Sequence, residues 1–532
     1  MSAVFPHADK ITAQLHLSEH PMDQLSGQDA MFLHAELKGL PQHIGGVSIY
    51  DQSTSAGGLV RFKDILAVIE NRIHLSPIFT RKLQNSPGGW DNPYWVDDPG
   101  FDIEYHIRHI ALPKPGDWRQ LCILAARIHS QPLDRSRPLW EIYVIEGLNN
   151  VEGVPKGCFA LLTKVHHAAM DGARGALFMA AIHDISPEIR VYDEQPARTV
   201  RNISRFDMAR QSTANTLRMP GQMLSLAKSS LPAWRRVQEG KKNSDFHTLD
   251  DKQVTRFQGK ISPHRVIGAV KFDFSDIRAL KSAVPGATVN DAMLNIVAGA
   301  MRNYLDAKGE LPEKTLVSGC PVDVRADNER DAGGKMVGMM NVAIRTDIVD
   351  SLERLEAIHR ESISAKAYAQ ALGPRIMMDV TDVVPGGVVA LAIRAAAATG
   401  LTEATVTQNT VVTNVPGPQM QLYFAGAALV DSISLGPLEP NIGLFQIVYS
   451  SVINKIGTIT LSYTSCREMM PDPEFYAKCI RKSFADFQAA VAKGKAPAKS
   501  KASAKGKPKA KAKAKLKAKA KAKAKTKSAP KK

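Results

Sequence analysis

The sequence predicts an α/β protein of two domains followed by a basic tail. Three observations carry that expectation. At 532 residues the chain is longer than one hydrophobic core organises, and 44% hydrophobic residues supply enough apolar surface for more than one. Runs rich in β-branched and aromatic residues alternate with amphipathic helical stretches on both sides of a strand-poor basic segment. The net charge of +17 is confined to one end, because Lys493 to Lys532 holds 18 Lys, no Arg and no acid. The rest of the chain then carries 51 basic and 52 acidic residues and is nearly neutral. These shifts divide the chain into a first domain (1–190), an interdomain connection (191–260), a second domain (261–492) and a Lys/Ala-rich tail (493–532).

In chain order, residues 22–51 read as a turn, a short helix capped by Ser26 or Asp29, and a strand HIGGVSIY. Ile65, Leu66, Ile69 and Ile73 recur at helical spacing and stop before Pro77. Residues 90–113 have strand character, with His106 and His109 decorating a strand. Residues 117–148 read helix, loop, strand, with Pro138 setting a turn and Trp140 plugging a core. The connection carries a basic helix-like run, 205–242. Pro220 and Pro232 interrupt any long amphipathic face there, so packing across the two domains, rather than against a membrane, is its expected use. The second half reads strand and helix (265–284), a helix capped at Thr288 or Asn290 (286–305) and strands at 315–325 and 336–348. Helices at 351–371 and 386–399, strands at 405–418 and through 422–465, and a closing helix at 471–493 follow.

Five scattered cysteines have neither metal nor redox spacing and fit a reducing compartment. The N-terminus lacks a basic and apolar signal-peptide pattern. The longest apolar stretch, 386–400, is too short to span a bilayer and carries Arg394, so no transmembrane helix is expected.

One stretch concentrates the chemistry: LLTKVHHAAMDG, residues 161–172. An apolar run ends in His166 and His167, with Asp171 four positions on and a helix starting near Gly172. Strand alternation sends the two imidazoles to opposite sides, so one faces a cavity and the other anchors the turn. A neutral imidazole at pH 7 can accept a proton, which suits general base catalysis. Asp171 can fix an imidazole tautomer or pair with an arginine, and Arg325 is the candidate partner. The alternative is a purely structural pair. A metal site is disfavoured, since adjacent strand histidines point apart and no HExxH or CxxC accompanies them.

HHxxxDG, together with LSGQDAMFL, WVDDPGFDIEYHIRH, LDRSRPLWEIYVIEGL, TVNDAMLNIVAGAMRNYL, TNVPGP and LSYTS, resembles the bacterial wax ester synthase/diacylglycerol acyltransferases over residues 22–490. The resemblance implies two chloramphenicol acetyltransferase-like domains forming a pseudodimer, with the active site in a channel between them. It also implies His167 as general base, with His166 and Asp171 in support. Asn290 becomes a candidate oxyanion donor, unless it only caps its helix, and Pro138, Leu139, Trp140, Gly172 and Asp291 become substrate-binding positions. No metal or cofactor is implied; acyl-CoA is a substrate, and diacylglycerol or a long-chain alcohol is the acceptor. LEPNIGLFQIVYSS (438–451) departs from the glycine- and asparagine-rich segment expected there and leaves acceptor preference open.

The implied reaction needs no covalent acyl-enzyme, and a base of this kind contributes about 100- to 10,000-fold in rate. Two other classes compete. A condensation-type enzyme would take acyl groups from carrier proteins, but no carrier module adjoins. A non-catalytic lipid-body protein would not need an intact motif. The expected location is cytoplasmic, peripheral to the inner membrane face or lipid inclusions. The tail is expected to be disordered, and either only aids solubility or binds a polyanion, anionic lipid or nucleic acid.

Overall fold

The computed structural model describes residues 23–170, 172–193, 204–242, 253–323, 337–372, 383–401, 406–453 and 456–495. Asp171, Arg325 and the tail beyond Lys495 lie outside them. The first half runs β1 (Asp23–Gln24), α1 (Gly27–Ala35), β2 (His43–Asp51), α2 (Phe62–Arg72), β3 (Arg81–Gln84), β4 (Tyr94–Asp97), α3 (Ile103–His106), β5 (Ile107–Ala111), α4 (Trp118–His129), β6 (Trp140–Leu148), β7 (Cys158–His166) and α5 (Gly172–Ile182). α6 (Arg205–Lys242) follows. The second half runs β8 (Arg265–Asp273), α7 (Phe274–Lys281), α8 (Val289–Ala307), β9 (Val317–Asp323), β10 (Val337–Ala343), α9 (Ser351–Leu372), α10 (Gly386–Ala398), β11 (Thr410–Pro416), β12 (Tyr423–Phe424), β13 (Ala427–Leu435), β14 (Leu444–Ile453), β15 (Ile456–Cys466) and α11 (Pro473–Lys495).

Two six-stranded sheets organise these elements, in the orders β12-β13-β2-β7-β6-β5 and β10-β9-β11-β14-β15-β8. A small third sheet, β1-β4-β3, sits apart from them in the pairing. The first large sheet is not built from the first half alone. β12 and β13, from residues 423–435, complete its edge, with β13 antiparallel to β2. The segment 261–492 therefore contributes strands to both sheets. The described residues from Asp23 through Val491 belong to one compact unit.

β7 is buried along nearly its whole length, and its alternation is regular. Phe159, Leu161 and Val165 join a core with Trp140, Phe79 and Phe178. Cys158, Ala160 and Leu162 join another beneath α4. Such a strand, covered on both faces, reads as a continuous apolar run, which is why it is conspicuous in the sequence. Gly45 permits the close pairing of β2 with β7, since a Cβ there would collide with the Thr163 carbonyl. α4 begins with a capping box, in which Asp117 accepts from the Gln120 amide at 2.8 Å and Gln120 accepts from the Asp117 amide at 3.1 Å. α4 then packs between this sheet and β8.

One open alternative is resolved and one sequence expectation changes. The cap of α8 is Thr288, not Asn290: its side chain accepts from the Asp291 amide, and Asp291 answers with the Thr288 amide. α6 is continuous through Pro220 and Pro232. Each proline frees one carbonyl of the preceding turn, but the middle of this helix is exposed, so water can meet that carbonyl. The expected packing across the domains is confined to its ends. Met208 and Val237 are buried, while Leu217, Leu224, Leu231 and Trp234 face outward.

Candidate active site

β7 pairs antiparallel with β2 on one side and β6 on the other, so its C-terminal end meets the starts of both neighbours. The ladders continue one rung past the strand. The His166 amide donates to the Leu139 carbonyl at 2.9 Å, and the His167 amide donates to the Gln42 carbonyl at 2.8 Å. The two histidines are thus gripped through their backbones from opposite sides.

Their side chains do different work, though not because of strand alternation. The strand stops at His166, and His167 opens a single helical turn, His167–Ala169. His166 is buried. Its Nδ1 accepts from the Ala168 amide at 3.0 Å, which leaves the ring proton on Nε2, 2.7 Å from Glu36 Oε2. Glu36 also receives Arg135 Nη2 at 3.3 Å, and Arg135 reaches the Leu33 carbonyl at 3.1 Å. The imidazole expected to anchor the turn is therefore His166, and its tautomer is held by Ala168 and Glu36. Asp171, expected either to fix an imidazole tautomer or to pair with an arginine, lies outside the described residues.

His167 is half-buried, and its ring lies flat against Phe32 of α1, with centroids 3.8 Å apart and planes 8° from parallel. Stacking of this kind fixes a ring's orientation while leaving its nitrogens at the edge. Glu36, Arg135 and Phe32 were not singled out in the sequence. Only the LDRSRPLW loop hinted at them, through its density of arginine.

Behind His166 lies a buried polar cluster. His43 pairs with His166 across the ladder, and both of its ring nitrogens lack a hydrogen-bond partner among the described residues. Burial, then the charge of Lys164, holds its pKa well below the ordinary imidazole value. Burial likewise pushes His129 down to about 4, against the hydrogen bond it makes to the Gly436 carbonyl. Lys164, fully buried, pairs with Glu141 at 3.3 Å. These imidazoles are neutral at physiological pH and sit on the α4 side of the sheet.

The remaining expected positions fall into place as follows. Trp140 is fully buried, stacked on His106 at 4.5 Å, with Nε1 donating to the Phe79 carbonyl at 3.0 Å. Leu139 is equally buried, and Pro138 lies under the same turn. The segment also acts through its backbone, since the Leu139 carbonyl holds the His166 amide. Asp291 is buried, closes the α8 cap and pairs with His359 Nδ1 at 3.0 Å. Asn290 is half-buried in the first turn of α8 with no capping duty. Gly172 is the first residue of α5. His106 ends α3 rather than decorating a strand, and His109 faces Glu146 at 3.0 Å.

With this geometry in hand, the comparisons decide the family. Residues 25–293 match the wax ester synthase/diacylglycerol acyltransferase catalytic domain, and residues 333–488 match the WS/DGAT C-terminal domain. The chain belongs to the wax ester synthase/diacylglycerol acyltransferase family. It is an acyl-CoA-dependent O-acyltransferase with the chloramphenicol acetyltransferase-like fold. A probable diacylglycerol O-acyltransferase of Mycobacterium tuberculosis is 30% identical over 487 residues, covering 88% of this chain and all of that one. The wax ester synthase/diacylglycerol acyltransferase of Marinobacter aquaeolei VT8 is similar in structure, with a TM-score of 0.60, 24% identity and coverage of 88% of this chain and 100% of that one. The first condensation domain of the calcium-dependent antibiotic synthetase shares the fold, with a TM-score of 0.53, 13% identity and coverage of 88% and 96%. Within the WS/DGAT frame, HHxxxDG is an asymmetric pair: one buried imidazole that holds the turn, and one ring at the edge of α1.

Proposed function

We propose that the protein transfers a long-chain acyl group from acyl-CoA to the hydroxyl of diacylglycerol or of a long-chain alcohol, with His167 as the general base. The observation that carries this reading is the division of labour at the motif. His166 is fully buried and hydrogen-bonded to Glu36 and Ala168, and His167 is half-buried with its ring oriented by Phe32. In this reading the imidazole of His167 takes the hydroxyl proton as the oxygen attacks the thioester carbon. The tetrahedral oxyanion needs a donor, and Asn290, relieved of capping by Thr288, is the candidate. Collapse breaks the C–S bond, and the imidazolium returns the proton to the CoA thiolate, giving an ester and CoA with no acyl-enzyme. The two sheets act as a pseudodimer with the channel between them. The cross-connection of Gln42 supports this, because its carbonyl holds His167 and its side chain donates to the Leu438 carbonyl at 3.2 Å.

Since acceptor and product both partition into lipid, we place the enzyme in the cytoplasm, peripheral to the inner membrane face or to lipid inclusions. The tail of 18 lysines is read as a disordered polyanion tether, to anionic lipid or to nucleic acid. The test is release of free CoA from palmitoyl-CoA with hexadecanol or dipalmitoylglycerol. Acceptor-dependent release that His167→Ala abolishes, in a protein that still folds, is the expected result. Release that ignores the acceptor, or an active His167→Ala protein, overturns the reading.

A further inference from the structure

α10, GGVVALAIRAAAA, is among the most apolar segments of the chain, yet of its thirteen residues only Gly386 is buried. It lies on α1, the helix that carries Phe32, and its start is tied to the Trp90 carbonyl through the Gly387 amide at 3.2 Å. The opposite face, Val388, Leu391, Ala395 and Ala398, recurs at helical spacing and is exposed, with Leu391 at 69%. Trp90 beside it is 57% exposed. Soluble proteins rarely leave a contiguous apolar face of this kind without a partner.

The turn that holds α10 also holds α6. Asn215 donates to Asp91 Oδ2 at 2.9 Å, and Tyr94 approaches Ser212 at 3.4 Å. α6 is therefore anchored at the same turn, by the side of the helix opposite Leu217. Leu217, Leu224 and Leu231 lie seven residues apart, on one face of a helix with about 3.6 residues per turn, and Leu217 is 78% exposed. Arg210, Lys228 and Arg235 interleave with them within about 60°. Across the whole of α6 there are eight basic residues and two acidic ones.

Apolar residues flanked by long basic side chains suit one partner class. The leucines can enter the acyl region while the lysine and arginine stems reach back to anionic headgroups. A protein groove would have to supply acids along the whole stripe, whereas an anionic phospholipid surface supplies them everywhere. None of the described helices is long and apolar enough to cross a membrane. At thirteen residues α10 is about 20 Å long, shorter than a bilayer core, so it suits lying in the interface.

We infer that the exposed face of α10, with Trp90 and the Leu217–Leu224–Leu231 stripe of α6, is the surface by which this protein docks on an anionic phospholipid membrane. Docking there sets α10, and the α1 helix beneath it, at the lipid. A membrane-held acceptor then enters beside α1 toward His167, a consequence that rests on the acyl transfer proposed above.

The full-length protein is tested on vesicles of phosphatidylglycerol and phosphatidylcholine with brominated acyl chains. Trp90 and Trp234 are exposed, whereas Trp95 and Trp140 are buried. Bromine should quench the native protein, and Trp90→Phe with Trp234→Phe should remove most of that quenching. Val388→Glu with Leu391→Glu should also abolish it at Trp90. The same pair should lower CoA release with vesicle-borne dioleoylglycerol about tenfold or more, and leave release with hexanol in solution within about twofold. Absence of quenching in the native protein overturns the inference, even if it sediments with vesicles, because a lysine tether does not carry indoles into acyl chains. Equal quenching in the glutamate variant overturns it too. A protein without acceptor-dependent CoA release defeats the proposed reaction but not the docking, which the quenching reads on its own.

Discussion

Replacing Glu36 by Gln probes the lock that holds the histidine turn. Glu36 Oε2 receives His166 Nε2 at 2.7 Å and Arg135 Nη2 at 3.3 Å, on a side chain only 10% exposed. Glutamine keeps the shape but has one acceptor oxygen and no charge. If its amide nitrogen faces His166, the ring must move its proton to Nδ1, which would then oppose the Ala168 N–H. Either way a charge-assisted bond is lost or weakened, at a cost of about 1.5–3 kcal/mol. Where that loss is expressed in the geometry of the next residue, His167, kcat falls roughly 10- to 100-fold. KM for acyl-CoA should stay near the native value.

The pH dependence of stability has a definite sign. Burial alone would raise the Glu36 carboxyl, but the His166 hydrogen bond and Arg135 outweigh it and leave its pKa below the ordinary value. A depressed carboxyl stabilises the fold above its unfolded pKa, about 4.3, and loses that contribution as pH falls through the folded value. Native protein should therefore exceed the glutamine variant in melting temperature at neutral pH, and the gap should close in acid. Steady-state CoA release and thermal melts from pH 3 to 8 check both parts. A Glu36→Gln protein with native kcat and a melting difference independent of pH would refute the argument.

Phe32→Ala should lower kcat several-fold with little change in melting, since a stacked aromatic pair is worth about 0.5–1.5 kcal/mol and here orients the base; kcat and melting temperature measured together check this. Trp140→Ala should destabilise by about 3–5 kcal/mol, because it empties a fully buried site and strands the Phe79 carbonyl; loss of soluble protein or a lowered melting temperature is the readout. Asp291→Ala should cost about 1–2 kcal/mol through the α8 cap, more than Asn290→Ala, which has no cap to lose. Removing residues 496–532 should leave turnover on soluble acceptor unchanged and weaken co-sedimentation with anionic vesicles at low salt; equal sedimentation across salt concentrations would take that role from the tail.

What the sequence determined by itself was local. β7 was legible because a strand covered on both faces must be apolar throughout, and α8 because its buried stripe repeats at helical period below a Thr288–Asp291 cap. The motif carried the resemblance because its residue types at that spacing, with the other segments in order, are specific. What only the tertiary structure decided depends on partners far apart in the chain. Glu36 reaches His166 across 130 residues, and nothing near either of them announces the other. The same holds for Phe32 under His167, for β13 completing the sheet of β2, and for the buried fate of Pro138, Leu139 and Trp140. Alternation along the strand does not govern the pair: the β2 and β6 ladders end at Gln42 and Leu139 and the chain turns at His167, so His166 meets Glu36 at the end of α1 while His167 stacks on Phe32 one turn earlier. That boundary is set by the neighbouring strands rather than by the histidines themselves.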